Sequence, residues 1–147
     1  MQNSGAQRPK FLTKNAVKEI IENEDTNKLQ NLKPVMQILT VKDIRNKKNM
    51  KDKLTLSDGI HKILCIVKDK INTTPEKSYK AMDVIRLNKF ILKEVGNVKL
   101  AIPSNDFDII CNEVEETIGK PKDYSKEEAD AQMDTEFEIP YKSEQKE

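Results

Sequence analysis

His61 is the chain's single histidine and Cys65, four residues on, the nearer of the two cysteines, so any Cys–His chemistry would have to begin there. Cys–His catalysis needs an accessible thiol in an electropositive setting. Cys65 and Cys111 instead stand within runs of Leu, Ile and Val, which suits reduced, buried thiols better than a disulfide framework. His61 follows an Asp-Gly turn with no evident orienting partner and reads as a surface hairpin residue. One His and two distant Cys give no zinc spacing. Asp106, Asp108, Glu113, Glu115 and Glu116 fit the solvent side of a strand more simply than an ion site. The four glycines form no phosphate-cradling loop. No catalytic constellation emerges, and neither a cofactor nor a metal is expected.

The basic residues are more informative. Lys42, Arg45, Lys47, Lys48, Lys51 and Lys53 follow one another closely, and Lys89, Lys93 and Lys99 form a second group. A basic groove attracts either phosphate backbones or acidic peptides. Single-strand binding by small β-barrels relies on aromatic platforms, each stacked base contributing ~1 to 3 kcal/mol. Only Phe90 and Phe107 fall in the strand-forming segments, neither near the first lysine group. Lysines around an aliphatic floor suit an acidic amphipathic helix laid into a groove.

Five extended segments would have to position these side chains. The spacing of Ala16, Val17, Ile20 and Ile21 predicts an amphipathic helix over about 13–23, with Thr13 as its cap, and Asn23 to Asn27 as a turn. Leu32 to Ile44 is rich in β-branched and aliphatic residues and predicts a long strand. After an Asn/Lys loop at 45–50, Lys51–Leu56 and Ile60–Val67 flank Ser57-Asp58-Gly59, the best hairpin signal in the chain. Thr73-Thr74-Pro75-Glu76 starts a short helix running towards Ala81. Val84–Lys93, a turn at Gly96-Asn97, and Val98–Val114 supply the last two strands, with a bulge or change of direction expected at Pro103. Helix, three strands, short helix, two strands is the order of the five-stranded, partly open OB-fold barrel. Its first three strands would bring the two lysine groups to either side of one groove.

Bulk properties agree with one domain. The 147 residues are 35% charged and 36% hydrophobic, with no Trp. Residues 119–147 hold nine acids against five lysines, so an acidic tail follows a basic domain. The expected division is a flexible N-terminus at 1–11, a domain at 12–118 and a disordered acidic tail at 119–147. No apolar run reaches the ~20 residues of a membrane span, and residues 1–9 lack a secretory signal's apolar core, so a soluble intracellular protein is expected. Within the tail, Asp130, Asp134, Glu136 and Glu138 surround Met133, Phe137 and Ile139, a pattern that could let the tail occupy the basic groove itself.

Leu12-Thr13-Lys14-Asn15-Ala16-Val17, Asp25-Thr26-Asn27, Leu32-Lys33-Pro34-Val35-Met36-Gln37-Ile38, Leu56-Ser57-Asp58-Gly59 and Asn88-Lys89-Phe90-Ile91 together resemble the N-terminal domain of the replication protein A large subunit. The resemblance covers about residues 12–115. It implies a nuclear, non-enzymatic barrel whose basic cleft recruits replication, checkpoint and repair proteins through acidic helices, with weak single-stranded DNA binding. Other subunits of a heterotrimeric complex would be met through regions beyond this chain. It further implies that Lys42, Lys51 and Lys53 occupy positions of cleft arginines, with Cys65 and Val67 on the floor and Lys93 on the far wall. Lys99 matches less closely, because the Gly96-Asn97 turn is shorter here. Lysine in place of arginine keeps the charge but loses bidentate carboxylate binding. Direct single-stranded DNA binding, and a telomerase-associated paralogue, remain alternatives.

Overall fold

The computed structural model describes residues 9–23, 26–45, 50–68, 79–96, 98–124 and 136–141. The elements are α1 (Ala16–Glu22), α2 (Thr26–Leu32), β1 (Val35–Asp43), β2 (Met50–Ser57), β3 (His61–Lys68), β4 (Val84–Val95), β5 (Val98–Cys111) and the short β6 (Lys122–Asp123). The architecture is mostly β, as expected. The helix expected from Thr73 towards Ala81 begins among residues outside those described.

The strands pair around a ring. β1 is antiparallel to β2 and β4, β2 to β3, and β4 to β5, while β3 and β5 close the ring in parallel. β6 lies alongside the start of β3. Along β2 the apolar residues alternate, so Leu54 and Leu56 face inward while Lys53 and Thr55 do not. Met36, Ile38, Cys65, Leu87, Phe90 and Phe107 join them in the core. β5 passes Pro103 without ending: Phe107 and Asp106 face Leu87 and Lys89, but Pro103 faces Phe90. The surplus residues between Pro103 and Asp106 form a bulge beside the proline, where one was expected.

α1 is shorter than expected and is capped differently. Asn15, at the N-cap position, sits at φ 60 and makes no side-chain cap bond. The Thr13 hydroxyl instead accepts from the Val35 amide at 2.8 Å. The cap comes from a distant residue: Asp58 Oδ2 accepts the Val17 N–H at 2.9 Å. Asp58 Oδ1 accepts the N–H groups of Ile60 and His61, both at 2.9 Å. One buried carboxylate therefore shapes the β2–β3 turn and anchors α1 to it. Ser57 Oγ completes the turn by accepting from the Gly59 amide.

α2 replaces the expected turn at its Thr26-Asn27 end and the expected strand start at Leu32. Its only apolar residues are Leu29 and Leu32, three apart, and both pack on the ring's core. Two positions are too few for periodicity to reveal a helix, and Pro34 disfavours continuation.

Gln37 is fully buried yet satisfied. Its Nε2 donates to the carbonyls of Met82 (3.1 Å) and Glu116 (2.9 Å), and its Oε1 accepts the Ile118 N–H at 2.8 Å. Gln37→Leu would orphan those groups. We expect it to lower stability by about 2 kcal/mol, read from the urea midpoint.

The chain after residue 118 differs from the expected disordered tail in two stretches. Lys120 and Lys122 donate backbone N–H groups to the carbonyls of Gly59 and Ile60. Residues 136–141 return to the N-terminal segment, where Phe11 and Glu138 form an antiparallel bridge. Ile139 is buried with Leu12, Val35, Val84, Cys111 and Val114, and Phe137 packs beside them. Isolated apolar residues in a polar tail give no local sign that they can offset their ordering entropy, because their partners come from five separate parts of the chain, the Leu12 segment, β1, β4, the end of β5 and the segment after it.

Candidate functional site

The outward-facing positions of the ring align into two rows crossing all five strands. One runs Thr40, Thr55, Leu64, Leu100, Lys93 through successive register partners. A 3.0 Å hydroxyl–hydroxyl bond between Thr40 and Thr55 confirms their shared face. The other row runs Lys42, Lys53, Ile66, then Ile102 and Ile91. Ile66 and Ile102 pack together with Ile44, and Met50 and Leu100 lie against them. The result is an aliphatic floor on β3 and β5, with Lys42 and Lys53 on one flank and Lys93 on the other. Lys42 and Lys93 are exposed, and Ile91, Val95 and Val98 add exposed apolar surface on the Lys93 side. No position in either row is aromatic.

Beside the first row the face opens into a cleft of about 950 Å³, whose lining includes Thr55, Leu64, Lys93, Lys62, Lys99 and Tyr124. Lys62 was not anticipated, although it sits two residues before Leu64 and so on the same side of β3. Its ammonium lies 3.6 Å from the Asp123 carboxylate. Tyr124 is held by a hydrogen bond from its hydroxyl to Glu22 and by edge-to-face contact with His61, ring centroids 5.4 Å apart.

The structure thus brings together Lys42, Lys53 and Lys93 and separates the other expected members. Cys65 and Val67 are not floor residues. They pair with Leu54 and Asp52, the inward-facing residues of β2, and are buried in the core. Leu64 and Ile66 take the floor instead. The shift follows from a strand's period of two, whereby moving one residue exchanges the faces. Lys51 is also withdrawn: it is 8% exposed beside the β2 bulge, with its ammonium 5.1 Å from the Tyr79 ring centre. Lys99 lies at the cleft, but its Nζ donates to the Ile21 carbonyl at 2.7 Å, neutralising the end of α1. Arg45 is exposed past the end of β1, and Lys89 is exposed at the β4 bulge, both outside the two rows. Lys47 and Lys48 lie outside the described residues.

The other candidate groups are structural. His61 is buried at 2% exposure rather than on the surface, because β6 and Tyr124 cover it. Among the described residues no group of three or more His, Cys, Asp or Glu side chains is arranged to hold a metal ion. No helix of the described residues is long and apolar enough to cross a membrane. Phe137 and Ile139, considered above as a peptide for the basic groove, pack on Gly59 and the Leu12 cluster instead.

Burial pushes the Cys65 thiol up from 9.0 to about 12. The unfolded chain would ionise first, releasing a proton that the folded chain retains. Stability from this group is full below pH 9.0 and falls as pH rises towards about 12. We expect the urea midpoint to drop above pH 9.0 by more in the parent than in Cys65→Ala, once each is referred to its own value at neutral pH.

Residues 12–105 match the family described as Replication factor-A protein 1, N-terminal domain. A comparison with curated proteins gives no match. The matched span is about two thirds of the chain and contains the Asp58 turn and every member of both rows. On that match the chain belongs to the N-terminal domain family of replication factor-A protein 1.

Proposed function

We propose that this domain is a non-enzymatic recruitment module of a single-stranded-DNA-binding complex, with residues 12–118 as an OB-fold working unit. It binds acidic amphipathic segments of replication, checkpoint and repair proteins, acts in the nucleus, and meets the complex's other subunits through regions beyond this chain. The observation that carries this reading is the two-row face: four aliphatic side chains between Lys42 and Lys53 on one flank and Lys93 on the other, with no aromatic among ten positions. An acidic helix fits such a face because its apolar side covers the floor while its carboxylates meet ammonium groups on both sides. A nucleobase finds no stacking surface there, so single-stranded DNA binding is weak and salt-sensitive. Tyr124, the aromatic at the adjoining cleft, is engaged by Glu22 and His61.

The test compares the fluorescence anisotropy of a labelled acidic amphipathic peptide with that of a labelled thymine oligonucleotide at physiological salt. The peptide is expected to bind at least tenfold more tightly. Tighter oligonucleotide binding would favour the alternative, a domain that contacts single-stranded DNA directly, telomeric or otherwise.

A further inference from the structure

Away from the lysine-bearing face, the returning C-terminal stretch occupies a built slot. The Phe137 ring lies over two turns that leave space where a side chain would stand. A Cβ at Gly59 would come within 2.3 Å of the Phe137 ring, and one at Gly119 within 2.9 Å of it. Both glycines have positive φ, 99° and 76°, which other residues adopt reluctantly. The backbone alongside is equally matched: the Leu12 N–H donates to the Phe137 carbonyl at 2.9 Å, and the Ile139 N–H to the Lys10 carbonyl at 2.8 Å. Side chains alternate as in a strand. Glu138 and Pro140 are exposed, Ile139 is 3% exposed in the cluster around Leu12 and Cys111, and the Tyr141 hydroxyl donates to the Pro9 carbonyl at 2.6 Å.

This combination, main-chain pairing to the extended segment at Lys10–Leu12 through an isolated bridge, with pockets for alternate side chains, uses the same physics as peptide recognition by strand addition. We infer that the slot between the Leu12 edge and the Gly59 and Gly119 turns is a separable peptide-binding site for strands of the pattern Phe-x-Ile-x-Tyr, filled in cis by residues 136–141. The occupant is short and self-contained. Met133 is the only large apolar side chain in residues 125–135, so its anchors are Phe137, Ile139 and Tyr141. Such a tethered strand acts at an effective concentration on the order of millimolar, which holds the slot closed to weak competitors yet leaves it exchangeable. The slot and the lysine face share no residue, so both sites accept peptides together.

The test uses the full chain carrying Phe137→Leu and Ile139→Ala, with the amides of Val17 and His61, bonded to Asp58, as reporters of an intact fold. A free peptide with the sequence of residues 135–142 is titrated against it. Saturable shifts of the Leu12, Gly59 and Gly119 amides are expected, at least tenfold tighter than for the parent chain, and abolished when the peptide's Phe is replaced by Ala. A folded variant that ignores the peptide, or parent and variant binding it equally, would overturn the inference. Should the double variant unfold, Tyr141→Ala serves the same purpose: the peptide is expected to bind it at least threefold more tightly than the parent, and unchanged affinity would count against a separable site.

Discussion

Asp58→Ala is expected to lower the stability of the domain by about 4 kcal/mol, a large share of the ~5 to 15 kcal/mol that holds a domain of this size folded. The size follows from the number of groups left without partners. The carboxylate is 1% exposed and accepts three backbone N–H groups, from Val17, Ile60 and His61. Bonds to a charged acceptor are the stronger class, and a buried amide that loses its acceptor also bears its own desolvation cost. Asn15, which would ordinarily cap α1, makes no such bond and offers no substitute. Asp58→Asn should lose about half as much, because one amide oxygen serves either the helix or the turn but not both. Urea unfolding checks this through a lowered midpoint at unchanged slope. A loss under about 1 kcal/mol for the alanine variant would show that the carboxylate is not the hub we describe.

Reversing the charge on both flanks of the face, Lys53→Glu with Lys93→Glu, is expected to weaken acidic-peptide binding by roughly a hundredfold, about tenfold or 1.4 kcal/mol for each side chain. The effect comes from turning attraction into repulsion on each side of an unchanged floor. It should shrink as salt is raised, since charges at the surface are screened beyond ~8 Å at physiological ionic strength. Folding stability should move little, because Lys93 is exposed and Lys53 is only half-buried. Lys89→Glu carries the same change of charge at a position outside both rows and should alter affinity less than threefold. Equal losses for Lys89 and for the pair would mean that overall charge, not this face, governs binding.

Much of the ring was legible in the sequence because strands declare themselves locally. Alternation in Lys51–Leu56, the Ser-Asp-Gly turn and the Pro103 interruption each carry their own signal, and the structure places two strands, their turn and a bulge there. The lysine groups were visible as clusters in the sequence, but which of them share one face depends on the register: Lys42, Lys53 and Lys93 do, while Lys51 is withdrawn and Arg45 and Lys89 lie outside the two rows. What stayed hidden depends on partners remote in the chain. The Asp58 side chain reads as a turn former, and nothing local shows that its second oxygen reaches Val17, 41 residues away. His61 looks solvent-exposed until Tyr124 is laid against it. Phe137 and Ile139 look stranded in an acidic tail until the Leu12 edge is in place. The exchange of Cys65 and Val67 for Leu64 and Ile66 is a failure of another kind. All four residues are apolar, so composition could not tell which pair faced the core, and a family likeness that runs in register along the chain does not fix which way each side chain points.

The most direct test of the face is an amide-shift titration of the labelled chain with an acidic amphipathic peptide. The largest shifts are expected at Lys42, Lys53, Leu64, Ile66, Lys93 and Leu100, with Gly59 and Gly119 unmoved. Shifts centred on the Gly59 and Gly119 turns, or spread evenly over exposed lysines including Lys89, would contradict that expectation.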